Sequence, residues 1–287
     1  MAIDTPSIEE PAAADPAGYR LHYTGSLSRD DFEAACRKQD NWYHGYYFDN
    51  GFAVRGDYNI GPDIDSYGFL ENLDGTTVLD IGTGAGWFAH YLHQRGAVVT
   101  TVDVRGTSDY DMVGRYEYPP LSSEARERDR FNANGQPNYY SPSSSAFWLM
   151  QDILQTDIRF RNARANDISP DLFDGERFDL VFMGAILCHL RDPIGALMAA
   201  HSVCSGQVIA STLVDAWDES PKPSACLLDP QPLVVAWWLP NLACYREWFQ
   251  AAGFRDPDVS RHVWLREDNP RNGPSGDQLH VAGHAFV

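Results

Sequence analysis

The spacing of apolar positions changes repeatedly along this chain, and each change marks an element. In TVLDIGTGAGWFAHYLHQRGAVVTTVDVRG, residues 77–106, an apolar run at 78–81 predicts a buried strand that ends in a glycine-rich turn. Residues 87–94 carry apolar side chains at helical spacing, Gly96 stops the helix, and 98–102 form a second apolar strand. FDLVFMGAIL at 178–187 starts as a buried strand, DPIGALMAAHSVC at 192–204 reads as a helix with Pro near its start, and GQVIASTLV at 206–214 is another strand. NLACYREWFQAAGF at 241–254 gives a further helix closed by Gly253, and HVWLRED and QLHVAGHAFV read as two closing strands around a turn rich in Pro, Gly and Asn. Strands alternating with helices predict an α/β fold. Its sheet is mostly parallel, covered on both faces, and finished by a C-terminal antiparallel hairpin.

Two regions stand outside this alternation. Residues 106–150, rich in Tyr, Pro, Ser and Asn, form an insertion after the second strand; Tyr116, Tyr118, Tyr139 and Tyr140 are its candidates for a pocket wall. Residues 1–70 precede the α/β domain of 71–287. They contain NWYHGYYFDNGFAVRGDYN at 41–59, which holds seven rings at neither helical nor strand spacing. Rings in a turn-rich segment predict a lid over a flat or apolar ligand, with Trp42, Tyr43 and Tyr47 on its inner side.

Composition narrows the partners. Of 287 residues, 44% are hydrophobic and 22% charged, which suits an ordinary globular enzyme. The formal net charge of -18 argues against a nucleic-acid partner, because phosphate binding needs a positive surface. A local patch around Arg126, Arg128, Arg130, Arg159, Arg161 and Arg164 is the one basic concentration, and acidic residues interrupt its first half. Five scattered cysteines without paired spacing predict reduced thiols and no metal site. No apolar run has the length of a membrane span and the first residues lack a signal-peptide pattern, so a cytoplasmic protein is expected. Nothing in the pattern sets an oligomeric state.

The chemistry concentrates on Asp80-Ile-Gly82-Thr-Gly84-Ala-Gly86, which follows a strand and opens a helix. Its glycines let backbone approach a ligand, and Asp103 closes the next strand at the distance usual for an acid that grips ribose hydroxyls. Dinucleotide enzymes share that arrangement, so the glycine spacing decides. DIGTGAG has the acid-x-Gly-x-Gly-x-Gly form and resembles motif I of class I S-adenosylmethionine methyltransferases. With FDLVFMGAILCHLRDPIGAL, WWLPNLACYREWFQAAGF and RGDYN, the region from about 40 to 265 resembles the methyltransferase domain of tRNA wobble-uridine carboxymethyltransferases and their methyltransferase relatives.

That resemblance implies a Rossmann-like methyltransferase fold and S-adenosylmethionine as cofactor. It implies that Asp80, Gly82, Gly84 and Gly86 line the methionine end, that Asp103 and Val104 bind ribose, that Asn166, Asp167 and Ile168 flank adenine, and that Met183 lies under the sulfonium. Arg55 and Asn59 join the expected cofactor set, and Trp238 and Asn241 the substrate set. The chain also departs from the tRNA enzymes. Cys188 stands at the position of a Tyr, Asn59 at that of a Lys, and DQLHVAGHAFV shows no Arg, so the donors that would hold a carboxylated cofactor are missing. Ordinary methyl transfer to a small acceptor, favoured at oxygen, is the expectation; a tRNA substrate and an inactive binding domain are the alternatives. His44 and His189 are the candidate bases, each with a structural reading beside the chemical one. Met183-Gly184-Ala185 offers no carboxylate where metal-dependent relatives keep a ligand, so no metal is expected.

Overall fold

The computed structural model describes residues 18–39, 42–104, 144–215, 218–227, 236–268 and 277–287. Most of the 106–150 insertion, including all four of its candidate tyrosines and Arg126, Arg128 and Arg130, lies outside the described residues. In chain order the strands are β1 (Tyr46–Tyr47), β2 (Ala53–Val54), β3 (Tyr58–Asn59), β4 (Thr77–Ile81), β5 (Val98–Asp103), β6 (Arg159–Asn162), β7 (Phe178–Met183), β8 (Cys204–Leu213), β9 (Ala225–Leu227), β10 (Trp238–Pro240), β11 (Arg255–Glu267) and β12 (Gln278–Phe286). Eight of them form one sheet in the order β3-β11-β12-β8-β7-β4-β5-β6.

β4 to β8 are mutually parallel, whereas β12 pairs antiparallel with β8 and β11 antiparallel with β12. The expected mostly parallel sheet with its closing hairpin is the architecture observed. β4 sits between β5 and β7, so the strand order reverses beside it. In such sheets that point opens a crevice at the carboxyl ends of the strands, and this locates the functional end.

Helices Trp87–Gln94 and Ser144–Leu154 pack on one face, and Pro193–Val203 and Leu242–Ala251 on the other, giving two apolar clusters. Each of the last two helices has a polar cap where the sequence placed its start: Asp192 accepts from the Gly195 amide, and Asn241 from that of Cys244. Gly253, at φ 99°, adopts the left-handed conformation just beyond the last helix. No described helix is long and apolar enough to cross a membrane.

The aromatic segment is built differently from the lid predicted for it. Trp42, Tyr46, Phe48 and Tyr58 are buried in the same cluster as Trp87, Phe88, Tyr91 and Phe182. The segment is anchored by the short β1–β2 pair, by the addition of β3 to the sheet edge, and by single bridges at His44 and Phe48. Most of its rings are therefore interior side chains of a wall. Tyr43 and Tyr47 alone of the three expected inner residues stay half-exposed; Trp42 is sunk, with its indole N–H 3.4 Å from the Cys36 carbonyl.

Candidate functional site

β4 delivers the glycine turn to the reversal point, and its three glycines divide into two kinds. All have positive φ, at 80°, 51° and 86° for Gly82, Gly84 and Gly86. A β-carbon on Gly82 would lie 2.6 Å from Ile186, and one on Gly86 would lie 2.5 Å from Phe147, so these two are required by packing. One on Gly84 would meet nothing within 4 Å. The middle of the turn thus presents bare backbone to open space.

Two buried carboxylates serve this turn. Asp103, at the end of β5, accepts the Gly84 N–H through Oδ2 at 2.8 Å and the Val104 N–H through Oδ1 at 2.7 Å. Burial pushes its carboxyl up to about 6, and the two N–H donors oppose that rise. Asp80 is 2% exposed and its Oδ2 has no partner among the described residues. Burial lifts it to about 7; the Thr83 hydroxyl works against the shift, and the charge of Asp103 adds to it. An orphaned, desolvated carboxylate beside open backbone suits a ligand that brings a cation or hydroxyl donors. S-adenosylmethionine has both, so these residues fit it.

The expected adenine and sulfonium residues are less uniformly placed. Asn166 donates its side-chain amide to the Asp192 carbonyl at 2.8 Å, Asp167 is exposed, and Ile168 is buried in the second apolar cluster. Met183 is fully buried in that cluster, so in this conformation it offers no surface to a ligand. Val104 is half-buried beside Asp103.

Several other expected contacts are engaged elsewhere. Arg55 pairs with Asp268 at 3.0 Å, and the Tyr47 hydroxyl donates to the same carboxylate at 2.8 Å. Arg55 and Tyr47 thereby tie the wall to the end of β11. Asn59 is buried and accepts the Gly61 N–H at 3.0 Å. Asn241 is 1% exposed, and its side chain bonds Cys244, Ser224, Asp218 and Lys222 as a helix cap and loop clip. With every polar atom used, it has none left for a substrate. Trp238 is half-buried and donates its indole N–H to the Arg191 carbonyl at 3.2 Å.

His44 packs against the helix that follows the glycine turn. Its ring lies 4.8 Å from Tyr43 and 5.8 Å, edge to face, from Phe88, which is the second residue of the helix opened by the glycine turn. His44 Nδ1 is buried with no partner among the described residues, and burial lowers the imidazole to about 4, against the pull of Asp57. His189 follows β7 in the short turn Leu187–His189 and is half-buried. Burial raises the neighbouring Cys188 thiol, but His189 and the surroundings at Leu213 and Thr212 outweigh it and leave the thiol below its ordinary value. One polar group escapes a sequence reading: His280 and Gln278, on β12, join Tyr58 at the same end of the sheet.

A family model described as a methyltransferase domain matches residues 63–259. Among solved structures, the chain is similar to the N-terminal domain of EvdMO1 with SAH bound, at 15% identity over 91% of this chain and 98% of that one, with a TM-score of 0.58. It is similar to EvdMO1 itself at 16% identity, over 93% of this chain and 49% of that one, with a TM-score of 0.51. The Burkholderia thailandensis 1,6-didemethyltoxoflavin-N1-methyltransferase is 18% identical over 74% of this chain and 71% of its own, with a TM-score of 0.44. No curated protein matches in sequence.

Proposed function

Because the chain belongs to this methyltransferase-domain family and takes S-adenosylmethionine as its cofactor, we propose that it methylates a small planar or apolar acceptor, at oxygen, in specialised metabolism. The observation that carries this reading is the packing of His44 on Phe88, since it sets a buried imidazole, whose Nδ1 has no partner among the described residues, against the helix that follows the glycine turn. When bound, S-adenosylmethionine supplies a methyl group already activated on a sulfonium. Asp103 holds ribose hydroxyls, the open backbone at Gly84 admits the methionine end, and Asp80 receives its positive charge. Tyr43, which stays half-exposed, supplies a ring against which a flat acceptor is positioned.

His44 then takes the proton that the acceptor oxygen loses. A hydroxyl becomes strongly acidic as its oxygen forms the new bond to carbon, so an imidazole lowered to about 4 is basic enough at that moment. The low value also keeps it unprotonated at neutral pH.

The test is transfer of labelled methyl from the cofactor into extract of the source organism, with and without ribonuclease. Label in ribonuclease-resistant small molecules is the expected result. Label lost with ribonuclease would replace this reading by a tRNA substrate, and no transfer at all would favour a binding domain. A cofactor carrying a carboxyl on its transferable group should bind no better than the ordinary one, because Cys188 and Asn59 offer it no cation.

Asp103→Ala is expected to weaken S-adenosylmethionine by about 1 to 3 kcal/mol in calorimetry, since it removes both a ribose acceptor and the anchor of Gly84. Wild-type affinity should fall as the pH drops through about 6, where this carboxylate takes up its proton. Unchanged affinity in the variant would remove Asp103 from the site.

A further inference from the structure

His280 sits near the start of β12, opposite Leu213 at the end of β8, and is 2% exposed. Its two nitrogens differ. Nε2 faces Gln278 Oε1 at 3.5 Å, the long limit of a hydrogen bond, and Gln278 Nε2 donates to the Tyr58 hydroxyl oxygen at 2.6 Å. That amide orientation leaves oxygen toward the imidazole, so Nε2 carries the hydrogen and Nδ1 the lone pair. Nδ1 is buried and meets no partner among the described residues. A buried acceptor without a donor is costly unless something else supplies one.

Tyr58, which holds Gln278, packs its ring 5.3 Å from Tyr43, and Tyr43 lies 4.8 Å from His44, so His280 and Gln278 stand at the aromatic end of the site. Burial lowers His280 to about 3, and nearby His189 adds to the shift, so the imidazole is neutral at physiological pH. A buried neutral imidazole offers its lone pair to an N–H or O–H donor.

Resting on the methyltransferase reading above, we propose that His280 is a specificity-determining contact whose Nδ1 accepts a hydrogen bond from a hydroxyl or amine of the acceptor, with its tautomer set by Gln278 and Tyr58. The acceptor class is thereby narrowed to molecules that carry a hydrogen-bond donor besides their aromatic or apolar body. Tyr58 and Gln278 are positioning residues, because they act through the imidazole.

Two substitutions separate contact from scaffolding. His280→Asn keeps a polar atom near the place of Nδ1, whereas His280→Gln keeps one near the place of Nε2. With ribonuclease-treated extract and labelled cofactor as the probe, His280→Asn should transfer label within a few-fold of wild type. His280→Gln should lose about tenfold or more, the equivalent of one hydrogen bond. S-adenosylhomocysteine affinity should stay the same in both. The reverse ranking, or two variants equal to wild type, would overturn the proposal.

Nitrogen-15 NMR of histidine-labelled enzyme with S-adenosylhomocysteine reads the proposal independently of methyl transfer. Nδ1 without a hydrogen is expected, and Gln278→Leu should mix the tautomers. A hydrogen on Nδ1 in the wild type, as the opposite orientation of the Gln278 amide would give, overturns the proposal whichever acceptor carries the label.

Discussion

His44→Ala is expected to lower kcat by about 10²-fold or more while leaving cofactor affinity little changed. The ring lies against Tyr43 and Phe88 and its Nδ1 has no partner among the described residues, so alanine removes a proton acceptor without breaking a described hydrogen bond. Measured at saturating cofactor, wild-type kcat should stay level from pH 8 down to about 5 and fall toward 4, where the imidazole protonates. The variant should lose that acid limb. His189→Ala is the matched comparison: it is expected to disturb the Cys188 turn and thermal stability more than the pH profile. If His189→Ala instead reproduces the loss of rate and of the acid limb, the base is His189. Two variants with wild-type rates would mean that positioning alone suffices for an already acidic acceptor.

The second large effect is expected in the glycine turn. Gly86→Val should destabilise the protein by roughly 3 kcal/mol or more, because a β-branched residue is forced to positive φ and its β-carbon meets Phe147. The clash cannot be relieved by rotating a ring alone. The Phe147 Cβ and Cα would lie at 3.0 and 3.2 Å, so the helix Ser144–Leu154 itself must shift. Gly84→Ala gives the contrast. At φ 51° with open space around its β-carbon, it should cost only about 1 to 2 kcal/mol of stability, yet place a methyl where the methionine end is received. Thermal melting and calorimetry together check the pair: Gly86→Val should fail the first, and Gly84→Ala chiefly the second. A Gly84→Ala enzyme that binds cofactor normally would show that the open side of the turn is not the cofactor's side.

Much of this was legible in the residues. The β4-turn-helix-β5 unit, the capped helices and the closing hairpin all announce themselves in runs long enough to have a period. The aromatic segment does not, because β1, β2 and β3 are each two residues long and no alternation can develop over so short a span. Side-chain partners across the fold were equally hidden. Arg55 has Asp57 two residues away and bonds Asp268, 213 residues on, since the register of β3 against β11 decides which acid is near. The resemblance puts Asn241 in the substrate set, whereas its loop bonds depend on where 218–224 returns. His280 lies in a strand whose residues look uniformly like core, and only the pairing of β12 with β8 carries it to the functional end.

The wall of rings is completed from the far end of the chain. Tyr47 waits for Asp268, Tyr58 for Gln278, Asp63 for Arg266, and the Tyr67 carbonyl for His284, partners 203 to 221 residues later. On a ribosome adding about 5 to 20 residues each second, the segment is made roughly 10 to 40 s before its last supports exist. During that interval Trp42, Tyr46 and Phe48 are sticky surface on a growing chain. The enzyme's yield in the cell is therefore expected to depend on chaperones that hold the nascent N-terminal third, and a change that slows synthesis of β11 and β12 should lower the amount of active protein without altering the activity of each molecule.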